Sequence, residues 1–211
     1  MDANKENFYL TDSFNLVLET PIKDECTQLL QGIFDAKLSD LCDESIFQNV
    51  PFISAAVSVL RVYSTLERFF CIKKLAHFLD EINRGISDDN RNSYIERYNS
   101  KSKKHREAEI EYLLIIINRY ITVEQSRCLA KLYLSFLQDD ICFEDLILYS
   151  SIINILIPSD IYFLINDTAR VKSRVLDDDG RVKRLRILGL IEAHSNERTN
   201  LGSTLCTILN Q

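Results

Sequence analysis

The sequence contains few of the residues that form tight turns. Five glycines and three prolines occur in 211 residues, and tryptophan is absent. Sandwiches and barrels need many turns, so this scarcity excludes most all-β architectures. Apolar residues make up 46% and charged residues 27%, which are ordinary globular values and exclude long disorder. A chain of this size can bury a core without disulfides or a metal.

Motifs for metal binding and catalysis are also missing. No two of the six cysteines are closer than 14 residues, whereas zinc and redox motifs place cysteines a few residues apart. No glycine-rich phosphate loop or Gly-x-Ser-x-Gly motif occurs. His77, His105 and His194 are interpreted as solvated side chains. We therefore expect a non-enzymatic protein that has no cofactor or metal and keeps buried free thiols in a reducing cytoplasm.

Long apolar runs are absent as well. The longest uncharged run, 45–60, contains 16 residues and is diluted by polar side chains and Pro51. A single membrane-spanning helix needs about 20 predominantly apolar residues. The segment 46–60 is therefore interpreted as a core helix, with a membrane-inserting element as the alternative. The first residues lack the basic and apolar regions of a secretory signal, which favours a cytoplasmic location.

What the sequence does contain is helical periodicity. Apolar residues recur every three or four positions, most clearly over 60–84, which Gly85 ends. Thr122 and Gln125 have the form of a capping box and predict another helix start. The other predicted helices are 21–35, 36–49, a polar and solvated one within 86–104, 108–120, 143–157 and 159–166. The chain is expected to be mainly α, a multi-helix bundle.

A basic patch precedes three glutamates in the middle of the chain. The patch consists of Lys101, Lys103, Lys104 and Arg106, and the acidic residues begin at Glu107. Such blocks are usually an exposed helix whose charges pair internally. The alternative interpretation is a docking patch for phosphate or an acidic partner.

Charge is distributed unevenly toward the C-terminal end. The segment 170–186 has a net charge of +4, and the rest of the chain carries −10. This asymmetry marks a candidate surface for contact with nucleic acid or a protein partner. The candidate contact residues are Arg174, Arg181, Lys183, Arg184, Arg186 and Arg198.

The order of elements after the basic segment resembles the second half of a winged-helix module. A basic helix ends at Gly189, a short strand over 190–193 follows, and 199–201 forms a returning strand before a helix over 202–209. In this resemblance Lys183 and Arg186 face DNA bases or phosphates, and Arg198 meets the DNA backbone from the wing tip. The three aspartates at 177–179 and the acidic remainder of the chain count against DNA contact.

Three segments follow from these patterns: an N-terminal segment over 1–20, a helical bundle over 21–140 and a winged-helix-like module over 141–211. The runs 50–54, 67–74, 126–133 and 188–191 resemble segments of bacterial Abi-alpha-like abortive-infection proteins. That resemblance implies a non-enzymatic component of antiviral (phage) defence and transfers no functional residues.

The function expected from the sequence is recognition rather than catalysis. We expect an intracellular interaction or regulatory protein whose partner is another protein or a second copy of the chain. One alternative is a DNA-binding winged-helix regulator. The other is a membrane-perturbing abortive-infection effector that uses 46–60.

Overall fold

The computed structural model describes residues 13–15, 33, 56, 65–166, 180–194 and 197–211. These residues are mainly helical, as the periodicity predicts. The helices predicted over 21–35 and 36–49 and the run 46–60 lie outside them, apart from the single positions Ile33 and Ala56. Arg174 and the three aspartates at 177–179 also lie outside.

Two compact units divide the chain. The N-terminal unit comprises Met1–Ala130, and the C-terminal unit comprises Lys131–Gln211. The division falls within one helix, whereas the predicted boundary between 140 and 141 falls in the loop that follows that helix.

The helix predicted over 60–84 is confirmed from Thr65 onward. This helix, α1 (Thr65–Gly85), ends at the predicted glycine and buries Phe69, Leu75 and Leu79. Asp80 is buried as well, and its carboxylate pairs with Arg84 one turn later at 3.0 Å. The buried side of α1 is therefore wider than the predicted stripe.

Two shorter helices continue the N-terminal unit, and both differ from prediction. The helix α2 (Asp88–Ser100) is not fully solvated, because it buries Tyr94 and Tyr98. The helix α3 (Lys103–Arg119) begins five residues before the predicted position, because Ser102 caps it by accepting from the His105 N–H at 3.3 Å. Lys103, Lys104 and Arg106 of the basic patch therefore lie at the start of α3, which packs on α1, whereas Lys101 follows the end of α2.

The predicted capping box is present at the start of α4 (Val123–Leu137). Gln125 N donates to Thr122 Oγ1 at 3.4 Å, and Thr122 N donates to Gln125 Oε1 at 3.0 Å. Both helix-end donors are thereby satisfied. The helix ends at Leu137, and Asp139 just beyond it adopts a left-handed conformation, with φ of 62°.

The segment predicted as one helix over 143–157 is shorter than expected. Helix α5 (Phe143–Ile155) ends at the extended residue Leu156, and α6 (Pro158–Asn166) starts at the proline itself. Proline restricts the residue before it to extended conformations and fits the first helical position, so Pro158 both separates the helices and starts the second.

Helices α7 (Gly180–Ile187) and α8 (Asn200–Leu209) complete the C-terminal unit, and both pack on α6. Gly189 ends α7 as predicted, with φ of 71°. The next amide, Leu190 N, donates back to Leu185 O at 2.8 Å. Only glycine adopts this backbone conformation at low cost.

The predicted two-stranded wing is not formed by the described residues. They contain one antiparallel bridge, between Ile191 and Arg198. The returning strand over 199–201 is replaced by helix, because Thr199 caps α8 by accepting from Gly202 N at 3.1 Å. Thr199 N also donates to Leu190 O at 3.1 Å, which ties the start of α8 to the bridge.

Candidate interaction surface

Arg184, a predicted contact residue, is bound by a carboxylate inside the C-terminal unit. Its Nε donates to Asp160 Oδ2 at 2.8 Å, and its Nη2 donates to Asp160 Oδ1 at 2.6 Å. The Asp160 side chain is fully buried, whereas that of Arg184 is 42% exposed. A buried carboxylate without a counter-charge is strongly unfavourable, so this bidentate pair stabilises the contact between α6 and α7.

Arg198 closes the C-terminal end of α6. Its Nη2 donates to the carbonyl oxygens of Leu164 at 2.7 Å and Ile165 at 3.1 Å. These last carbonyls have no donor within their own helix, and the helix dipole favours a positive charge there. Arg198 therefore lies in the bridge and binds α6, and the predicted position at a wing tip is wrong.

The other basic residues of α7 are divided between the core side and solvent. The Arg181 guanidinium lies over the Phe163 ring, 4.8 Å from its centroid. Arg186 is half-buried, and Lys183 is exposed. On the same side of the helix, one turn after Lys183, Ile187 is 84% exposed. The solvent side of α7 is therefore partly apolar, unlike the uniformly basic side expected for DNA contact.

The basic patch of the N-terminal unit pairs mainly with its own neighbours. Lys101 forms an ion pair with the buried Glu109 at 2.9 Å, and Lys103 lies 3.8 Å from Glu107. Arg106 donates to Asn99 Oδ1 at 2.9 Å and lies over the Tyr98 ring. Internal pairing is thus confirmed for these residues, and Lys104 is exposed.

Two further lysines, which no sequence pattern predicts as caps, bind the C-terminal ends of helices. Lys74 Nζ is buried and donates to Asn118 O at 3.0 Å and Tyr120 O at 2.7 Å, at the end of α3. Lys131 Nζ donates to Leu209 O at 2.8 Å, at the end of α8. Burial lowers the pKa of Lys74 from its ordinary value. Both partners are distant in sequence, so no local motif signals these bonds.

His77 is less solvated than predicted. Its Nδ1 lies 3.2 Å from Arg127 Nη2. Burial, followed by the charge of Arg127, lowers the pKa of His77 below its usual value. The described residues contain no group of three or more His, Cys, Asp or Glu side chains that could hold a metal ion.

An apolar strip lies on the solvent side of α5. Ile147, Leu148 and Ile155 are 38%, 46% and 59% exposed, and their spacing places them along one side of the helix. We call these three residues together with Ser151 the α5 strip. The opposite side of α5 is apolar too and buries Leu146, Tyr149, Ile152 and Ile153.

The α5 strip offers almost no polar group to solvent. The Ser151 hydroxyl donates to Ile147 O within the same helix at 2.7 Å. Ile157 and Tyr162, just beyond the strip, are exposed as well. A helix that is apolar on all sides is usually buried on all sides. The apolar sequence of α5 is visible without the structure, but only the packing shows which side of the helix faces solvent.

The length and composition of the helices bear on membrane insertion. No individual helix among the described residues is both long and apolar enough to cross a membrane. Helices α5 and α6 pass that test only as a pair, and they meet at a bend of 116°. The alternative based on 46–60 lies outside the described residues.

No family model, curated protein or solved structure matches this chain. The resemblance to abortive-infection proteins and the role in phage defence therefore stay predictions. The observations that bear on function come from the surface of the described residues. They are the exposed α5 strip and the binding of Arg184 and Arg198 to α6.

Proposed function

We propose that this chain acts by binding another protein chain rather than by catalysis, and that the α5 strip is its contact surface. The observation that carries the proposal is the exposure of three large aliphatic side chains along one helix face. Contiguous exposed apolar surface usually marks an interaction site in soluble domains. The strip also lacks the charges that binding to nucleic acid requires.

We further propose that the C-terminal unit is a reduced winged-helix module that serves as a scaffold. In support, α7, the glycine turn, the bridge at Ile191 and α8 follow one another in the winged-helix order. Arg184 and Arg198, which would contact DNA in a DNA-binding module, bind α6 instead. Modules of this kind also bind proteins, and the exposed apolar helix fits that use.

Site-specific photo-crosslinking tests this proposal. A photoreactive amino acid replaces Leu148 in one variant and Ser203, an exposed residue of α8, in the other. Both chains are expressed in the native host and irradiated. We expect a defined crosslinked protein band from position 148 and none from position 203.

Two outcomes would count against the proposal. One is the absence of any specific crosslink from position 148 at native expression levels. The other is an equal crosslink from both positions, since this would mean that the band reports abundance instead of a binding surface. Crosslinking to DNA from position 148 would favour the nucleic-acid alternative.

A further inference from the structure

We propose that the occupant of the α5 strip is a second copy of this chain, with the two α5 helices packed antiparallel about a two-fold axis near Ser151. This inference rests on the proposed function, because it names the partner for the same surface. It follows from the spacing, the charges and the area of the strip.

The spacing of the strip is self-complementary. Leu148 lies three residues before Ser151, and Ile155 lies four residues after it. A two-fold axis next to Ser151 therefore places Leu148 of each copy opposite Ile155 of the other. The small serine at the crossing point lets the two helices approach closely, and the large side chains on either side fill the space.

The charges select the antiparallel direction. Glu144 is exposed one turn before Leu148 and is the nearest charge on that side of α5. A parallel pair would bring the two Glu144 carboxylates to within about 10 Å and align the helix dipoles. The antiparallel pair separates these carboxylates by about 20 Å, given a rise of about 1.5 Å per residue, and opposes the dipoles.

The absence of charge in the strip itself favours a second copy over a charged partner. A charged peptide would need counter-charges within the contact, because charge complementarity is what selects such partners. The Ser151 hydroxyl already bonds within its own helix, so its proton stays paired when an apolar partner covers it.

The area sets the strength of the expected dimer. The three large side chains of the strip, together with the exposed Ile157 and Tyr162 that follow α5 in the sequence, expose on the order of 500 Å² per copy. Two copies then bury about 1,000 Å², the lower limit for a specific interface. We expect a reversible dimer with a Kd on the order of 10 µM.

Sedimentation equilibrium of the purified full chain tests the dimer. The wild type should change from monomer to dimer with increasing concentration. Leu148→Asp should raise the Kd by about tenfold or more, because it buries a charge in the contact. Ser151→Lys places a charge at an exposed position in the same contact, and it should have a similar effect. Ser203→Asp, exposed on α8, should leave the Kd unchanged.

Disulfide trapping tests the direction. An equal mixture of Leu148→Cys and Ile155→Cys chains should form a mixed disulfide between the two variants, identified by peptide mass. Parallel packing would instead crosslink each variant to itself, and that result would overturn the antiparallel arrangement.

Failure of this inference can be distinguished from failure of the proposed function. A wild type that stays monomeric at about 100 µM, ten times the expected Kd, overturns self-association. So does a dimer that neither Leu148→Asp nor Ser151→Lys weakens. If a crosslink from position 148 to a different protein persists in the host, the proposed function stands with a different partner.

Discussion

Gly202, in the first turn of α8, lies directly against the backbone of Leu190. A Cβ at position 202 would lie 2.9 Å from the Leu190 carbonyl carbon and would overlap the carbonyl oxygen. The obstacle is main chain, so it cannot rotate away as a side chain can. This contact fixes the start of α8 against the residue that precedes the Ile191–Arg198 bridge.

Gly202→Ala is therefore expected to lower the free energy of unfolding by about 3 kcal/mol, the cost of strong overpacking. Gly180→Ala is the matched control, because a Cβ there meets Arg184 Nη1 at an ordinary 3.5 Å. Urea unfolding followed by circular dichroism measures both. Equal stabilities of the two variants would mean that α8 does not approach Leu190 this closely.

The ion pair between Asp160 and Arg184 gives a second prediction. Arg184→Met leaves a fully buried carboxylate without its partner and should destabilise the chain by about 3 kcal/mol. Lys183→Met removes an exposed charge from the same helix and should change stability by no more than about 1 kcal/mol, the upper range for an exposed charge interaction. Thermal and urea unfolding compare the two. A larger loss for Lys183→Met would contradict the structural role of Arg184.

Burial of Cys71 predicts a pH-dependent loss of stability. Desolvation raises the pKa of this thiol from 9.0 to about 11, with Lys74 opposing the shift. The folded chain therefore keeps the proton more strongly than the unfolded chain. The protonated Cys71 thiol therefore contributes about 2–3 kcal/mol to the free energy of unfolding, and this contribution is fully present below pH 9 and is lost as the pH rises toward 11.

The comparison of wild type with Cys71→Ala isolates this contribution. Burial lowers the pKa of Lys74, so the titration of this lysine makes both folded chains more stable as the pH rises. This effect is present in both chains and therefore largely cancels in the difference between them. We expect the stability advantage of the wild type over Cys71→Ala to shrink between pH 9 and 11 in urea unfolding. A difference that is constant over that range would show that the thiol ionises equally in both states.

DNA binding should be weak, because several of the predicted contact arginines are engaged within the C-terminal unit. Fluorescence anisotropy with a random duplex should give a Kd above about 10 µM at 0.2 M salt. The double variant Lys183→Ala/Arg186→Ala should bind no more weakly than the wild type. Submicromolar binding that this variant abolishes would establish the regulator alternative instead.

Features with a local cause could be predicted from the sequence. The capping box of Thr122 and Gln125 and the end of α7 at Gly189 depend on neighbouring residues, and both are present. The apolar periodicity over 60–84 is likewise a property of a single helix, and it predicted α1. The predicted end at 157 was two residues too late, because proline restricts the residue before it to extended conformations and itself starts the next helix.

Features that depend on distant residues could not be predicted. The sequence shows that Arg184, Arg198 and Lys74 are basic, but their partners are 24 or more residues away. The same basic composition is compatible with a DNA surface and with helix caps. Likewise, the apolar character of α5 is visible in the sequence, whereas the exposure of the α5 strip depends on how its other side packs.

Size-exclusion chromatography with light scattering, applied to the purified chain loaded well above the expected Kd of about 10 µM, compares the two candidate surfaces in one experiment. The wild type should elute above its monomer mass of 24.5 kDa. Leu148→Asp should shift it to the monomer position, while Lys183→Ala/Arg186→Ala should leave it unchanged. A shift to the monomer position caused by the α7 variant, with Leu148→Asp eluting like the wild type, would show that α7 and not the α5 strip forms the contact.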